Sequence, residues 1–500
     1  MNYTIRNLIN NNKDENIAIT SEDNNIIKYS DLKKLIFNIS GQLAGQGIMP
    51  SNRAAIVLPN GPEMATAFLS ISSYMSAAPL NPSYKLKEYE FYLQDLMPKI
   101  VIVEKDSHNP AVEAAKNLGI EICEIKKIDN APAGIFNLYD RTANFELATE
   151  NNEALVLHTS GTTSRPKVVP LTNKNIFSSA INISNSLQLS SQDHCYNIMP
   201  LFHIHGLIAV LSSSINAGAS VYASSGFNAL KFLETANKES ITWYSGVPTM
   251  HQAILMRAKK NPKLAEELAL RFIRSSSASL PPAVYDELKK IFKTTIIEAY
   301  GMTEATHQMT SNPMPPEKQK AGFVGKPAGP EVCIMDGHGN KLDTGVDGEV
   351  CIRGDNVTNG YENNEEANKT AFINGWFRTG DQGHFDDEGY LKISGRLKEI
   401  INRGGEKVSP LEVDNILMEH EAVEQVVTFA VKDNLLGEAI GVAIVLKNGI
   451  DCNEIDIKNY AGKHLADFKI PKYIRFLEEI PKGATGKLQR IGLAEKLGLE

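Results

Sequence analysis

Short apolar segments alternate with longer helix-like segments over much of the chain, and this alternation constrains the fold more than any other feature. The segments, in chain order, are Ala54–Leu58 with Pro62–Ala77, Lys99–Val103 with Pro110–Leu118, Ser220–Ala223 with Asn228–Glu239, Thr242–Tyr244 with Pro248–Lys259, Phe272–Ser276 with Pro281–Phe292, and Ile296–Ala299. Such a pattern predicts βαβ units, that is, mostly parallel sheets covered by helices.

The pattern changes after about Ala321. Residues 322–396 form short apolar runs broken by the turn pairs Asp336-Gly337, Asp347-Gly348 and Glu388-Gly389. Turn residues at such short intervals predict an antiparallel sheet or a small barrel.

A second change follows Lys398, where a compact unit with its own strands (Val426–Val431, Ile440–Leu446) begins. Ser409-Pro410-Leu411-Glu412 predicts a helix start with Ser409 as N-cap and Glu412 completing a capping box. The predicted fold class is therefore α/β. A large N-terminal domain, 1–397, contains βαβ-type sheets and a small barrel-like antiparallel subdomain, 322–396. A small α+β C-terminal domain, 398–500, follows.

Composition excludes several classes of protein. The 500 residues are 42% hydrophobic and 22% charged, as in soluble globular proteins, and the net charge of −8 argues against a nucleic-acid or anionic-membrane partner. The five cysteines form no C-x-x-C pair, and no apolar run is long enough to span a membrane. With neither a signal peptide nor a peroxisomal tail in the sequence, we expect a cytoplasmic protein.

The loop Thr159–Lys167 follows the apolar segment Ala154–Leu157 and is rich in hydrogen-bond donors. It contains the hydroxyls of Thr159, Ser160, Thr162, Thr163 and Ser164, the Gly161 backbone, and the cations Arg165 and Lys167. Polyphosphate oxygens only accept hydrogen bonds, so this loop predicts a polyphosphate site. It lacks the Walker pattern, because Pro166 precedes Lys167 where a glycine is required. The alternative interpretation is an ordinary solvated turn.

Four further segments are compatible with nucleotide chemistry, although each has a simpler interpretation. Glu304 follows a predicted strand and suits Mg²⁺, but a lone glutamate is usually a surface residue. Asp381 could accept hydrogen bonds from ribose hydroxyls or cap a turn. Arg396 and Lys398 stand at the predicted domain boundary, where cations are common. Lys487, which follows Gly486, could reach into a cleft or be an ordinary terminal lysine.

In order and spacing, these segments together resemble the adenylate-forming superfamily of acyl-CoA ligases, luciferases and peptide-synthetase adenylation domains. The resemblance covers nearly the whole chain. It implies an enzyme that uses ATP, Mg²⁺ and coenzyme A in two steps. A carboxylate attacks the α-phosphorus of ATP to give an acyl-adenylate and pyrophosphate, and a thiol then displaces AMP.

The resemblance also implies residue roles in the first step. Thr159–Lys167 would hold the β- and γ-phosphates, Thr303 the α-phosphate and Glu304 the Mg²⁺ ion. The ribose would be held by Asp381 and Arg396. The residues implied to line the adenine are Ser277, Ala278, Ser279, Glu298, Ala299, Tyr300 and Gly301.

For the C-terminal domain, the resemblance implies that Lys487 stabilises the charge that develops during adenylation. Lys398 would be the hinge on which this domain rotates between half-reactions. After rotation, Gly404 and Gly405 would line the pantetheine tunnel.

Two histidines, His203 and His307, are implied to lie near the acyl group. A second carboxylate on the substrate would need a polar partner when buried, and a histidine could provide it, whereas a fatty acid needs only apolar walls. His203 could instead be a structural or gating residue. The runs around His203, Glu298–Pro316 and Ile401–Pro410 resemble the oxalate–CoA ligase branch, which implies conversion of oxalate to oxalyl-CoA.

Other functions remain open at this stage. The acid could be a medium-chain, malonic or 4-coumarate-type acid, with Trp243 and Tyr244 bordering its pocket. The acceptor could be a carrier protein instead of free coenzyme A, or the chain could be a non-catalytic nucleotide-binding scaffold. A kinase would release ADP instead of AMP, and no G-x-G-x-x-G indicates a dinucleotide. We expect a monomer or a homodimer.

Overall fold

The predicted strand–helix alternation builds two sheets. The computed structural model describes residues 3–159, 166–481 and 490–499. The larger sheet has nine strands, in spatial order Lys326–Pro327, His307–Ser311, Thr295–Met302, Phe272–Ser275, Trp243–Gly246, His194–Asn197, Ser220–Ala223, Ile17–Ser21 and Asn25–Lys28. The second has six strands, in spatial order Val168–Thr172, Glu153–His158, Ser76–Pro79, Arg53–Val57, Ile100–Val103 and Glu121–Glu124.

Both sheets are parallel in their interior, as predicted. In the nine-stranded sheet, every pairing from Thr295–Met302 across to Ile17–Ser21 is parallel. In the six-stranded sheet, only the Val168–Thr172 strand runs antiparallel to its neighbour. The carboxyl ends of neighbouring parallel strands therefore lie along one edge, where ligands bind in open α/β sheets.

Helices cover the sheets, and several of them carry proline in their first turn, where a missing N–H costs nothing. The α-helices are Ile5–Asn10, Tyr29–Gly45, Pro62–Ser72, Leu86–Leu96, Pro110–Asn117, Asn173–Ser186, Ser213–Asn216, Phe232–Lys238, Pro248–Lys260, Pro262–Glu266, Pro282–Phe292, Glu365–Ala371, Pro410–Met418, Glu454–His464 and Leu493–Lys496. A π-helical segment, His205–Ser212, precedes one of them. Every helix in the described ranges is too short or too polar to cross a lipid bilayer.

Two predicted helices were too long. The helix beginning at Pro62 ends at Ser72, and residues Ser76–Pro79 form a fully buried strand instead. Periodicity cannot separate a short buried strand from a buried helix. The helix predicted from Asn228 begins at Phe232, because the Asn228 side chain accepts hydrogen bonds from the backbone N–H groups of Leu230 and Lys231, 2.9 and 3.3 Å away, and makes a turn there.

Residues 322–396 contain the predicted antiparallel sheet. Its five strands are Glu331–Met335, Gly348–Arg353, Trp376–Phe385, Phe372–Ile373 and Leu391–Arg396. All of their pairings are antiparallel.

The C-terminal part has its own sheet and hydrophobic core. The strands are Glu406–Val408, Ile401–Arg403, Gly437–Leu446, Val423–Asp433 and Tyr473–Phe476. Ser409 caps its helix as predicted, accepting a hydrogen bond from the Glu412 N–H at 3.3 Å. The predicted capping box is wrong, because the Glu412 carboxylate instead accepts two hydrogen bonds from Lys469, 2.6 and 2.8 Å long.

Candidate active site

The ends of the predicted phosphate loop are held together. The Thr159 N–H donates to the Lys167 carbonyl at 2.9 Å, and the Lys167 N–H donates to the Thr159 hydroxyl at 3.3 Å. Thr159 follows the strand Glu153–His158, and Lys167 precedes the strand Val168–Thr172. Because these two strands pair, the loop starts and ends at one point on the six-stranded sheet. The intervening Ser160, Gly161, Thr162 and Thr163 lie outside the described residues.

Lys167 and the predicted metal ligand Glu304 meet at one aromatic ring. The Lys167 ammonium lies 4.3 Å from the centroid of the Tyr361 ring, and the Tyr361 hydroxyl donates to Glu304 Oε1 at 2.8 Å. Glu304 is 6% exposed, and burial raises its pKa, while the Tyr361 hydrogen bond and the charges of Arg396 and Lys167 oppose that shift. A buried carboxylate beside a phosphate loop is chemically suited to Mg²⁺, which binds through one or two carboxylates and substrate phosphates.

Asp381 and Arg396 face each other across two paired strands. They are direct partners in the register of Trp376–Phe385 with Leu391–Arg396, and Arg396 Nε lies 3.2 Å from Asp381 Oδ1. The hydroxyl of Tyr300 donates a hydrogen bond to the other oxygen, Asp381 Oδ2. Asp381 is thereby oriented by Arg396 from the antiparallel sheet and by Tyr300 from the nine-stranded sheet. These contacts join the antiparallel subdomain to the predicted adenine segment.

The predicted adenine segment begins where the strand Phe272–Ser275 ends. Ser277 is half-buried and has a φ of +71°, a left-handed conformation that non-glycine residues seldom adopt and that clusters at functional sites. Ala278 and Ser279 are exposed, whereas Ala299 is buried and accepts a 2.8 Å hydrogen bond from Ser276 Oγ.

Glu298 points away from solvent. Its side chain is buried, and Oε1 accepts a 2.8 Å hydrogen bond from the Gly322 N–H. Burial raises the pKa of Glu298 to about 8, and the Gly322 hydrogen bond opposes this only in part. The carboxyl group thus connects the predicted adenine segment to the loop at residue 322.

His307 is held in the interior by an unusual backbone. It is 1% exposed and has a φ of +89°, and the preceding Thr306 also has a positive φ of +48°. Gly301 provides room for this turn, because a Cβ at position 301 would lie 1.9 Å from the His307 carbonyl oxygen. Thr303 is half-buried and lies in the short 3-10 turn between Gly301 and His307. Its carbonyl oxygen accepts a hydrogen bond from the Thr306 N–H at 3.0 Å.

The second predicted acyl-site histidine, His203, is half-buried and stands just before the π-helical segment. Its Nδ1 accepts a hydrogen bond from the His205 N–H at 3.3 Å. His205 itself, which the sequence reasoning did not single out, contacts His307 directly, with ring centroids 4.9 Å apart. The His-x-His spacing was the available signal.

A buried polar cluster surrounds His205. Its Nδ1 lies 3.0 Å from Ser277 Oγ and its Nε2 lies 2.6 Å from Ser245 Oγ. Behind them is Arg274, fully buried, whose guanidinium donates to Ser245 Oγ at 3.3 Å and to Gln308 Oε1 at 3.1 Å. Burial lowers the pKa of Arg274 to about 9, so it carries a positive charge at neutral pH.

Arg274 was missed although the sequence contained a signal: it is a charged residue inside the apolar strand Phe272–Ser275. The residues expected to border the acyl pocket, Trp243 and Tyr244, are fully buried. Trp243 stacks on Phe272, with ring centroids 5.1 Å apart. The polar and cationic part of the described interior at these strand ends is the cluster of His205, Ser245 and Arg274.

The predicted hinge and tunnel residues lie in turns. Lys398 is exposed, in the turn that connects Leu391–Arg396 with Ile401–Arg403. Gly404 and Gly405 form the two-residue turn of a hairpin, with φ of +61° and +95°, a conformation that favours glycine at both positions. Lys487 lies outside the described residues.

Known proteins match the chain along most of its length. The model for AMP-binding enzymes matches residues 7–362, and the model for the AMP-binding enzyme C-terminal domain matches residues 412–487. An oxalate–CoA ligase of Arabidopsis thaliana is 45% identical over 93% of this chain and 92% of its own length. An oxalate–CoA ligase of Saccharomyces cerevisiae is 40% identical over 96% of this chain and 94% of its own.

A solved structure agrees with these matches. The crystal structure of ATP-bound MatB from Rhodopseudomonas palustris superposes with a TM-score of 0.89 at 26% identity, covering 99% of both chains. The motif order, the sheet topology and these similarities lead to one conclusion. The chain belongs to the family of AMP-binding enzymes, as an AMP-forming acid–CoA ligase.

Proposed function

We propose that this enzyme converts oxalate to oxalyl-CoA at the expense of ATP. The observation that carries the proposal is the buried cluster of His205, His307 and Arg274 at the strand ends. In the described residues no carboxylate forms an ion pair with Arg274. A dicarboxylic acid has a second negative charge that must be compensated when it leaves water, and this cluster offers donors and a cation. The two oxalate–CoA ligases with 45% and 40% identity support the same acid.

In the first step, a carboxylate oxygen of oxalate forms a bond to the α-phosphorus of ATP. The bond between that phosphorus and the bridging oxygen of the β-phosphate breaks, and pyrophosphate leaves. In the second step, the thiolate of coenzyme A attacks the acyl carbon, and AMP leaves with the electron pair of the broken C–O bond. The thiol proton goes to solvent.

The residue roles form part of the proposal. Thr159 and Lys167 would bind the β- and γ-phosphates, Thr303 would contact the α-phosphate, and Asp381 with Arg396 would bind the ribose. Glu304, oriented by Tyr361, would hold the Mg²⁺ that accompanies ATP and neutralises phosphate charge. Lys487 stays a prediction from the sequence, as do the hinge at Lys398, the 397/398 domain boundary, free coenzyme A as acceptor, a monomer or homodimer, and a cytoplasmic location.

The test is AMP release from ATP, Mg²⁺ and coenzyme A with oxalate, malonate, acetate, octanoate or 4-coumarate. We expect oxalate to be preferred by about 10⁴-fold in kcat/KM over acetate, because a site built around a polar group rejects an analogue that lacks it. Lys487→Ala should abolish oxalate-dependent AMP release, and Lys482→Ala is the matched control. Preference for octanoate or 4-coumarate would refute oxalate as the substrate. Turnover only with an added carrier protein would refute coenzyme A as the acceptor.

A further inference from the structure

The fully buried Arg274 has a geometry that determines the direction of several hydrogen bonds. Its Nη2 donates to Gln308 Oε1 at 3.1 Å, while the Gln308 amide nitrogen donates to the Ser186 hydroxyl and the Ala328 carbonyl. Nη1 lies 3.3 Å from Ser245 Oγ and 3.5 Å from His205 Nε2. A guanidinium can only donate, so the atoms that face it must accept.

This requirement assigns the hydrogens along a chain of side chains. Ser245 Oγ accepts from Arg274, so its own hydrogen is available to His205 Nε2, which lies 2.6 Å away. An Nε2 that accepts cannot carry the ring hydrogen of a neutral imidazole, which must then be on Nδ1. Nδ1 lies 3.0 Å from Ser277 Oγ and therefore donates to that oxygen.

Ser277 is where this chain of hydrogen bonds reaches the site. Because its oxygen accepts from His205, its hydroxyl hydrogen can be donated to a ligand. The residue is half-buried, follows the end of a central strand, and is fixed in a left-handed conformation with a φ of +71°. A fixed hydroxyl donor at this position is complementary to an acceptor such as a carboxylate, whereas the family resemblance implied adenine as the neighbour of Ser277.

We propose that Arg274 and Ser245 act as positioning residues that hold the His205 proton on Nδ1, which sets Ser277 as a hydrogen-bond donor to a carboxylate of the bound acid. This inference rests on the proposed function for the identity of the acid. It does not rest on it for the protonation of His205, which exists without substrate. Arg274 contacts no substrate in this scheme.

The first test is the tautomer itself, read from ¹⁵N chemical shifts of histidine-labelled enzyme without substrate. The His205 signals are assigned by their loss in His205→Gln. We expect the Nδ1–H tautomer in the wild type and a shift toward the Nε2–H tautomer in Ser245→Ala. An Nε2–H tautomer in the wild type would refute the proposal, whether or not oxalate is the substrate.

The second test separates the acid from the nucleotide. Ser245→Ala should raise the KM for oxalate about tenfold, which corresponds to one hydrogen bond to a charged group, and leave the KM for ATP unchanged. Ser213→Ala is the matched control, because it also removes a fully buried serine hydroxyl; this hydroxyl donates to the backbone carbonyl oxygens of Ala209 and Val210, 2.8 and 3.3 Å away. Unchanged oxalate kinetics in Ser245→Ala, or an equal rise in the KM for ATP, would refute the positioning role.

Arg274→Lys keeps a cation and should retain most of the oxalate affinity, whereas Arg274→Met should lose about as much as Ser245→Ala. Equal affinity in Arg274→Lys and Arg274→Met would count against the proposal. If Arg274→Met does not fold, Ser245→Ala alone decides. A wild-type enzyme that does not use oxalate would refute the proposed function, and the tautomer measurement would still test this inference.

Discussion

Replacing Glu298 with glutamine should change how the stability of the enzyme depends on pH. The carboxyl group is buried, and its pKa of about 8 in the folded protein compares with an ordinary value of 4.5. Between these values the folded state binds a proton that the unfolded state has released. The contribution of Glu298 to the free energy of unfolding is therefore greatest below pH 4.5 and is lost as the pH rises from 4.5 through 8.

The size of the effect follows from the shift. Each pH unit within this range costs about 1.4 kcal/mol, so raising the pH from 6 to 8 should destabilise the wild type by roughly 2 to 3 kcal/mol through Glu298 alone. Glutamine does not titrate, and its side-chain oxygen can still accept the Gly322 N–H. Glu298→Gln should consequently lack this loss.

The assay is the midpoint of thermal unfolding at intervals from pH 5.5 to pH 9, for the wild type, Glu298→Gln and Glu317→Gln. Glu317 is an exposed residue that pairs with Lys326 at 3.2 Å and controls for the removal of a carboxylate. We expect the midpoint of Glu298→Gln to exceed that of the wild type by several degrees at pH 8, and the difference to shrink toward pH 5.5. Parallel curves of midpoint against pH for the wild type and Glu298→Gln would show that Glu298 is ionised in the folded state and would refute the reasoning.

Three further predictions concern activity. Glu304→Gln should lower the rate of AMP release by about 10²-fold or more, because the charge that would face Mg²⁺ is lost. Tyr361→Phe should lower the same rate about tenfold. Equal single-turnover rates for the wild type and Glu304→Gln would contradict the role of Glu304. Asp381→Asn should raise the KM for ATP about 10- to 100-fold with little change in the KM for the acid, which steady-state kinetics would show, and the opposite pattern would remove Asp381 from the ribose site. His307→Ala and Gly301→Ala should both reduce oxalate turnover, since a Cβ at position 301 displaces the His307 backbone; unchanged turnover in either variant would refute the acyl-site assignment of His307.

The hydrogen bonds of Glu298 and Arg274 illustrate why part of the site could not be predicted. Sequence reasoning placed Glu298 beside the adenine but could not tell that its carboxyl group turns to Gly322, 24 positions away. The contacts of Arg274 with His205, Ser245 and Gln308 likewise join residues separated by 69, 29 and 34 positions, although the charge inside an apolar strand marked Arg274 itself. Such separations leave no periodic signal.

By itself, the sequence determined the parallel strand–helix architecture, the antiparallel sheet, the Ser409 helix cap and the order of the predicted nucleotide-binding segments. These depend on side-chain periodicity, turn residues and local spacing, which a linear sequence contains. Only the tertiary structure decided where the Pro62 helix ends, since burial of Ser76–Pro79 between two strands overrode the helical pattern. It also decided which polar side chains meet at the strand ends, because their energies depend on burial and on partners from distant strands.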